Sequence, residues 1–255
     1  MNDIRFCISG SSPALTVAAK RLQERGLSVS DTPFRDATHL LLPVPSFDAG
    51  GSIKGGGDLG QLLAKLPADI TVLGGNLSHP ALANYPCIDL LADETYLCKN
   101  AAITADCALP ILMEALPVTL PGCPILIIGW GRIGQCLAQK LKALDADVAI
   151  AARREESRAM AGAFGFSVMD TDMPCFALRR YRAIINTVPI SLLCQHQVDC
   201  CRVGCVKLDL ASVKGIYGED VIWARGLPGK DAPETSGELI AKTVIRLISQ
   251  KEVLE

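Results

Sequence analysis

Short apolar runs followed by segments of helical period recur along this chain. Residues 4–9 (IRFCIS) suit a buried strand, and residues 13–26 carry a helical pattern closed by Gly26. Residues 38–44 (THLLLPV) and 70–73 predict two more strands, the second followed by Gly74-Gly75, while residues 49–60 form a glycine-rich loop. This alternation predicts a small α/β domain with a parallel sheet. Residues 104–116 predict a connector helix, with Pro110 inside it implying a kink or a late start. Pro117, Pro121 and Pro124 punctuate the next stretch. A second run of alternation then begins: strand 124–129, helix 131–144, strand 147–152, helix 155–164, strands 183–187 and 206–210, a further candidate at 221–223, and a terminal helix at 234–251. The fold class is therefore α/β in two domains. A smaller N-terminal α/β domain covers 1–99, and a Rossmann-type doubly wound parallel sheet covers 100–235 with its connector helix.

The spacing Gly129-Trp130-Gly131-Arg132-Ile133-Gly134 falls between the apolar strand PILIIG and a helix. That context turns a weak glycine pattern into a dinucleotide-binding one. Gly129 permits the tight turn, Gly131 lets a diphosphate approach the backbone, and Gly134 lets helix and strand pack closely. The helix start attracts the diphosphate through its amides and dipole. The next strand ends Ala151-Ala152-Arg153-Arg154, with no carboxylate at its tip to bond ribose hydroxyls. Arg153 and Arg154 suit a 2′-phosphate, so NADP(H) is expected over NAD(H), although Glu155 just beyond could restore some NAD binding. Asn186, Thr187 and Pro189 follow one later strand, and Asp209 ends the next. These positions face ribose, nicotinamide or substrate in such sheets, or else bond their own loops.

Composition narrows the function classes. The net charge of -2 gives no pull toward nucleic acid or acidic membranes. No secretory leader and no membrane span is read, so a cytoplasmic location is expected for the eleven cysteines. Cys194, His196, Cys200, Cys201 and Cys205 crowd together, but their spacing matches no common zinc module, and no metal is expected. His39, His79 and His196 form no evident acid–base pair.

Several pieces together resemble the dipicolinate synthase A-subunit family of endospore-forming bacteria. They are LLLPVP (40–45), residues 100–104, the stretch 129–153, INTVP (185–189), LDLAS (208–212) and GLPGKDAPETSGELIA (226–241). The last piece is the most specific. The resemblance implies a cofactor cleft between two domains, a terminal helix (236–255) that returns to the first domain, and a flavoprotein-like B subunit. It also implies dipicolinate (pyridine-2,6-dicarboxylate) formation for sporulation, by oxidation of a dihydrodipicolinate-type compound with hydride passing to NADP⁺. A dicarboxylate would want cationic or amide partners, for which Asn100, Thr104, Ser212 and Lys214 are candidates, with Asp209 a further candidate for catalysis. The chain departs from the family pattern in a shorter first domain, in Ser9-Gly10-Ser11-Ser12-Pro13 after the first strand, and in Val213-Lys214-Gly215-Ile216 where the family has Arg/Lys-Pro-Gly-Gly. Two other functions stay open: a dehydrogenase or reductase of another small acid, and a non-catalytic dinucleotide-binding subunit. So does a homo-oligomer.

Overall fold

The computed structural model describes residues 4–252; residues 1–3 and 253–255, at the two ends of the expected domain ranges, lie outside the described residues. The chain divides into two compact units, Met1–Asn100 with Pro228–Glu255, and Ala101–Leu227.

The first unit opens with β1 (Arg5–Ile8), α1 (Pro13–Glu24), β2 (Ser28–Ser30) and β3 (His39–Leu41). Ser12 starts α1 by accepting a hydrogen bond from the Leu15 amide at 3.1 Å, ahead of Pro13 in the first turn. There follow α2 (Leu59–Leu63), β4 (Thr71–Gly74) and β5 (Cys87–Asp89). The five strands form one parallel sheet in the order β2-β1-β3-β4-β5. Leu40, Leu42, Val72 and Ile70 bury one side of it against Leu59, Leu63 and Leu66.

The long helix α3 (Glu94–Ala115) begins well before the expected 104–116. Asp93 sets the earlier start by accepting from the Tyr96 amide at 2.7 Å. Pro110 lies inside the helix, as the sequence requires, and does not break it. From Ala101 onward α3 lies in the second unit, where Ala105, Ala108 and Leu112 enter the core.

The second unit continues with β6 (Pro124–Ile128), α4 (Arg132–Ala143), β7 (Asp147–Ala151), α5 (Glu155–Ala163), β8 (Ser167–Met169), β9 (Ala183–Asn186), α6 (Gln195–Asp199), β10 (Val206–Asp209) and β11 (Val221–Trp223). Its parallel sheet runs β11-β10-β9-β6-β7-β8. That is the doubly wound dinucleotide-fold order, with the topological switch between β6 and β9. The strands read as unbroken apolar runs because both faces are covered. Ile125, Ile127, Val148 and Ile150 pack on one side, and Leu126, Ile128, Ala149 and Ala151 on the other.

The family-like piece 226–241 folds as α7 (Leu227–Asp231) running into α8 (Pro233–Glu252). In the first unit α8 packs along α1, with Arg21 and Arg25 ion-paired to Glu238 at 3.3 and 2.6 Å. Among the described residues no helix is long and apolar enough to cross a membrane.

Candidate functional site

The turn after β6 stands at the switch point. Gly129 holds φ at +107°, and a Cβ there would meet the Thr187 hydroxyl and lie 2.7 Å from Val188 Cγ2. A Cβ on Gly134 would run into the Gly129 carbonyl. Both glycines are therefore required by close approach of protein to protein. Gly131 differs: a Cβ there would meet nothing within 4 Å. It is the N-cap of α4, and no side chain caps that helix. Open space over an uncapped helix start is what a diphosphate needs.

The other residues of the turn are disposed unequally. Arg132 is exposed, and Ile133 packs against the core. The Trp130 indole is buried against Phe166 at 5.5 Å and Phe164 at 6.2 Å, and its Nε1 has no partner. Its expected contact with cofactor therefore reduces to the backbone of the turn.

Beyond β7 the backbone leads directly into α5. Arg153 and Arg154 are exposed, and neither makes a side-chain bond among the described residues. Arg158, not singled out in the sequence, fixes this corner. Its Nη1 donates to the carbonyls of Ala152 and Arg153, both at 2.7 Å, and to Asp170 at 2.5 Å. The Asp172 amide, with Arg158 beside it, holds the Asp170 carboxyl below the usual carboxylate range.

At the ends of β9 and β10 the polar side chains turn inward. Asn186 and Asp209 are both fully buried. Asn186 Nδ2 donates to Asp209 Oδ1 and to the Val188 carbonyl, each at 3.0 Å. Asp209 also accepts from the amides of Ala211 (3.0 Å), Gly215 (2.7 Å) and Ile216 (3.0 Å). A carboxylate holding four donors has its capacity filled. Thr187 donates its hydroxyl to the Ile128 carbonyl at 3.0 Å, behind the Gly129 turn. Of the two readings open for Asn186, Thr187 and Asp209, the structure favours the one in which they organise loops. Asp209 thereby loses its place as an exposed acid or base.

Pro189 and Ser212 are exposed in those loops. Lys214 Nζ donates to the Gly218 carbonyl at 2.8 Å and, with Ser191, Gln195 and Tyr217, lines a cavity of about 500 Å³. Asn100 and Thr104 lie one turn apart on α3; Thr104 is buried and Asn100 half-buried, and both have bonding partners. Among the described residues no histidine is bonded to another histidine or to a carboxylate. His39 is half-buried in β3, and His79 Nδ1 accepts from the Ala81 amide at 3.1 Å. His196 is exposed on α6.

No family model matches the chain. The dipicolinate synthase A subunit of Bacillus subtilis (strain 168) is 23% identical over 248 residues, which span 89% of this chain and 83% of that protein. A solved A chain of dipicolinate synthase from Bacillus subtilis superposes with a TM-score of 0.86 at 21% identity, covering 100% of this chain and 99% of that one. The resemblance read from separate motifs is thus matched in sequence over 89% of the chain and in fold over all of it. A transhydrogenase from Sinorhizobium meliloti shares the fold more distantly, with a TM-score of 0.71 and 13% identity over 96% of this chain and 92% of its own.

Proposed function

We propose that this chain is an NADP(H)-dependent oxidoreductase subunit that forms dipicolinate from a dihydrodipicolinate-type precursor. The observation that carries the cofactor reading is the switch-point turn: Gly131 open over an uncapped α4, beside two exposed arginines at the tip of β7. In this reading Gly129, Trp130, Gly131, Arg132, Ile133 and Gly134 form the diphosphate turn, by backbone rather than side chain. Arg153 and Arg154 pair with a 2′-phosphate, which their guanidinium forks suit. Asn186, Thr187, Pro189 and Asp209 shape the neighbouring loops. The likeness to the A subunit of dipicolinate synthase supplies the substrate class.

A bound nicotinamide supplies the hydride acceptor. Conversion of the dihydropyridine to the aromatic ring releases one hydride and one proton, so the protein has chiefly to position ring and acceptor and exclude water. Lys214 and Ser212 are the candidates to hold a carboxylate from the β10 loop, and Asn100 and Thr104 from α3. A flavoprotein-like B subunit completes the enzyme in this reading. The second reading, a dinucleotide-binding subunit without its own chemistry, is favoured by one observation: Asp209 is fully engaged in loop bonds.

Calorimetric titration of the full chain with NADP⁺ and NAD⁺ tests the cofactor. Tighter binding of NADP⁺ is expected, with Arg153→Ala weakening NADP⁺ by about tenfold to a hundredfold, the range of a charge-assisted hydrogen bond, while NAD⁺ changes little. Equal affinity for both nucleotides in wild type and variant would remove the NADP reading, and no binding of either would remove the oxidoreductase reading. Formation of NADPH from a dihydrodipicolinate precursor, with and without a B subunit, then separates the enzyme from the binding subunit.

A further inference from the structure

Cysteine spacing along the chain gives no zinc module, but folding brings in a residue from another element. Cys175 opens the 3₁₀ turn Cys175–Arg180 ahead of β9, while His196 lies in α6 and Cys200 just after it. One ligand atom from each, two thiol sulfurs and one imidazole nitrogen, all lie within 4.8 Å of one another. A tetrahedral zinc ion, with bonds of about 2.3 Å to sulfur and 2.0 Å to nitrogen, separates its ligand atoms by roughly 3.5–3.8 Å. The three groups therefore need to close by only about 1 Å, and His196 is exposed and free to turn. Two soft thiolates and an imidazole suit zinc over hard cations such as magnesium or calcium.

We propose that Cys175, His196 and Cys200 form a binding site for a thiophilic divalent cation, Zn²⁺ foremost, with solvent as fourth ligand. The ion would join the 3₁₀ turn to α6. The two elements bracket β9 and the loop that follows it, so the site would fix the 187–194 segment at the switch point. Binding releases the thiol protons to solvent and involves no electron transfer.

The test uses the reduced full chain, freed of metal by chelation, with Co²⁺ as the spectroscopic probe and Zn²⁺ as competitor. The expected result is a thiolate-to-cobalt charge-transfer band saturating at one equivalent and displaced by Zn²⁺, with a melting temperature raised by Zn²⁺. Cys175→Ser and Cys200→Ser should each weaken Zn²⁺ tenfold or more, whereas Cys98→Ser, an exposed thiol elsewhere, should change nothing. His196 stands on the surface, so His196→Ala keeps the fold and should still reduce affinity. A band that survives in all three site variants, a band lost equally in Cys98→Ser, or no band in the reduced wild type would each overturn the proposal. Recovery of Cys175 and Cys200 as a disulfide from freshly purified chain, with no metal bound after reduction, would overturn it as well.

Discussion

At the scale of single residues, three glycines with one spacing have two kinds of duty. A methyl at Gly134 strikes the Gly129 carbonyl. Gly134→Ala should therefore lose about 1–3 kcal/mol of stability by overpacking, read in a denaturant melt. A methyl at Gly131 strikes nothing within the protein. Gly131→Ala should cost no more than about 1 kcal/mol, the preference of an N-cap for Gly over Ala, and still weaken dinucleotide binding; unchanged affinity would show that no ligand approaches there. His39 gives a pH signature. Burial, with the Lys251 charge adding to it, pushes its pKa down to about 4 from 6.5. The folded state thus prefers neutral imidazole, and the unfolded chain takes up the proton first as pH falls. The contribution is full above about pH 6.5 and lost progressively toward pH 4, at most about 3 kcal/mol. His39→Phe should flatten the stability profile across that window. The spacing of the glycines was legible because all three fall within six consecutive residues between a strand and a helix. Loop bonding by Asn186 and Asp209 stood as one of two readings; the bond that joins the two to each other was not legible, because they lie 23 residues apart in the chain.

At the scale of elements, the buried strands were legible and three edge strands were not. β6, β7 and β9 are apolar on both faces and declare themselves as runs. β2, β5 and β8 are three residues each, partly exposed, and stand at sheet edges, so no apolar run marks them. The β7–α5 corner was half legible: its arginines were plain, but the brace beneath them comes from the first turns of α5 and from Asp170. Arg158→Ala removes three hydrogen bonds at that corner. Because Arg158 acts through Arg153, the variant should weaken NADP⁺ more than NAD⁺ while the fold persists, as calorimetry of both nucleotides would show. Equal loss for both would mean that the corner does not reach the 2′-phosphate.

At the scale of the whole molecule, the first unit depends on α8 lying close against α1. A Cβ on Gly237 would stand 2.5 Å from Val17 Cβ and 2.6 Å from the Ala14 carbonyl. Gly237→Leu should force the two helices apart and raise amide hydrogen exchange in α1 and β1, while β6 and β9 keep wild-type protection. Uniform protection throughout would mean that the contact is dispensable. The first unit is also split in the sequence, with the whole of the second unit standing between Asn100 and Pro228. During synthesis the opening hundred residues therefore leave the ribosome without the helix that covers α1, and the nucleotide fold is made whole before them. Of the two, the first unit is the last to mature, with Ala14 and Val17, the positions that meet Gly237 of α8, left as uncovered surface for a chaperone or a stray copy of α8.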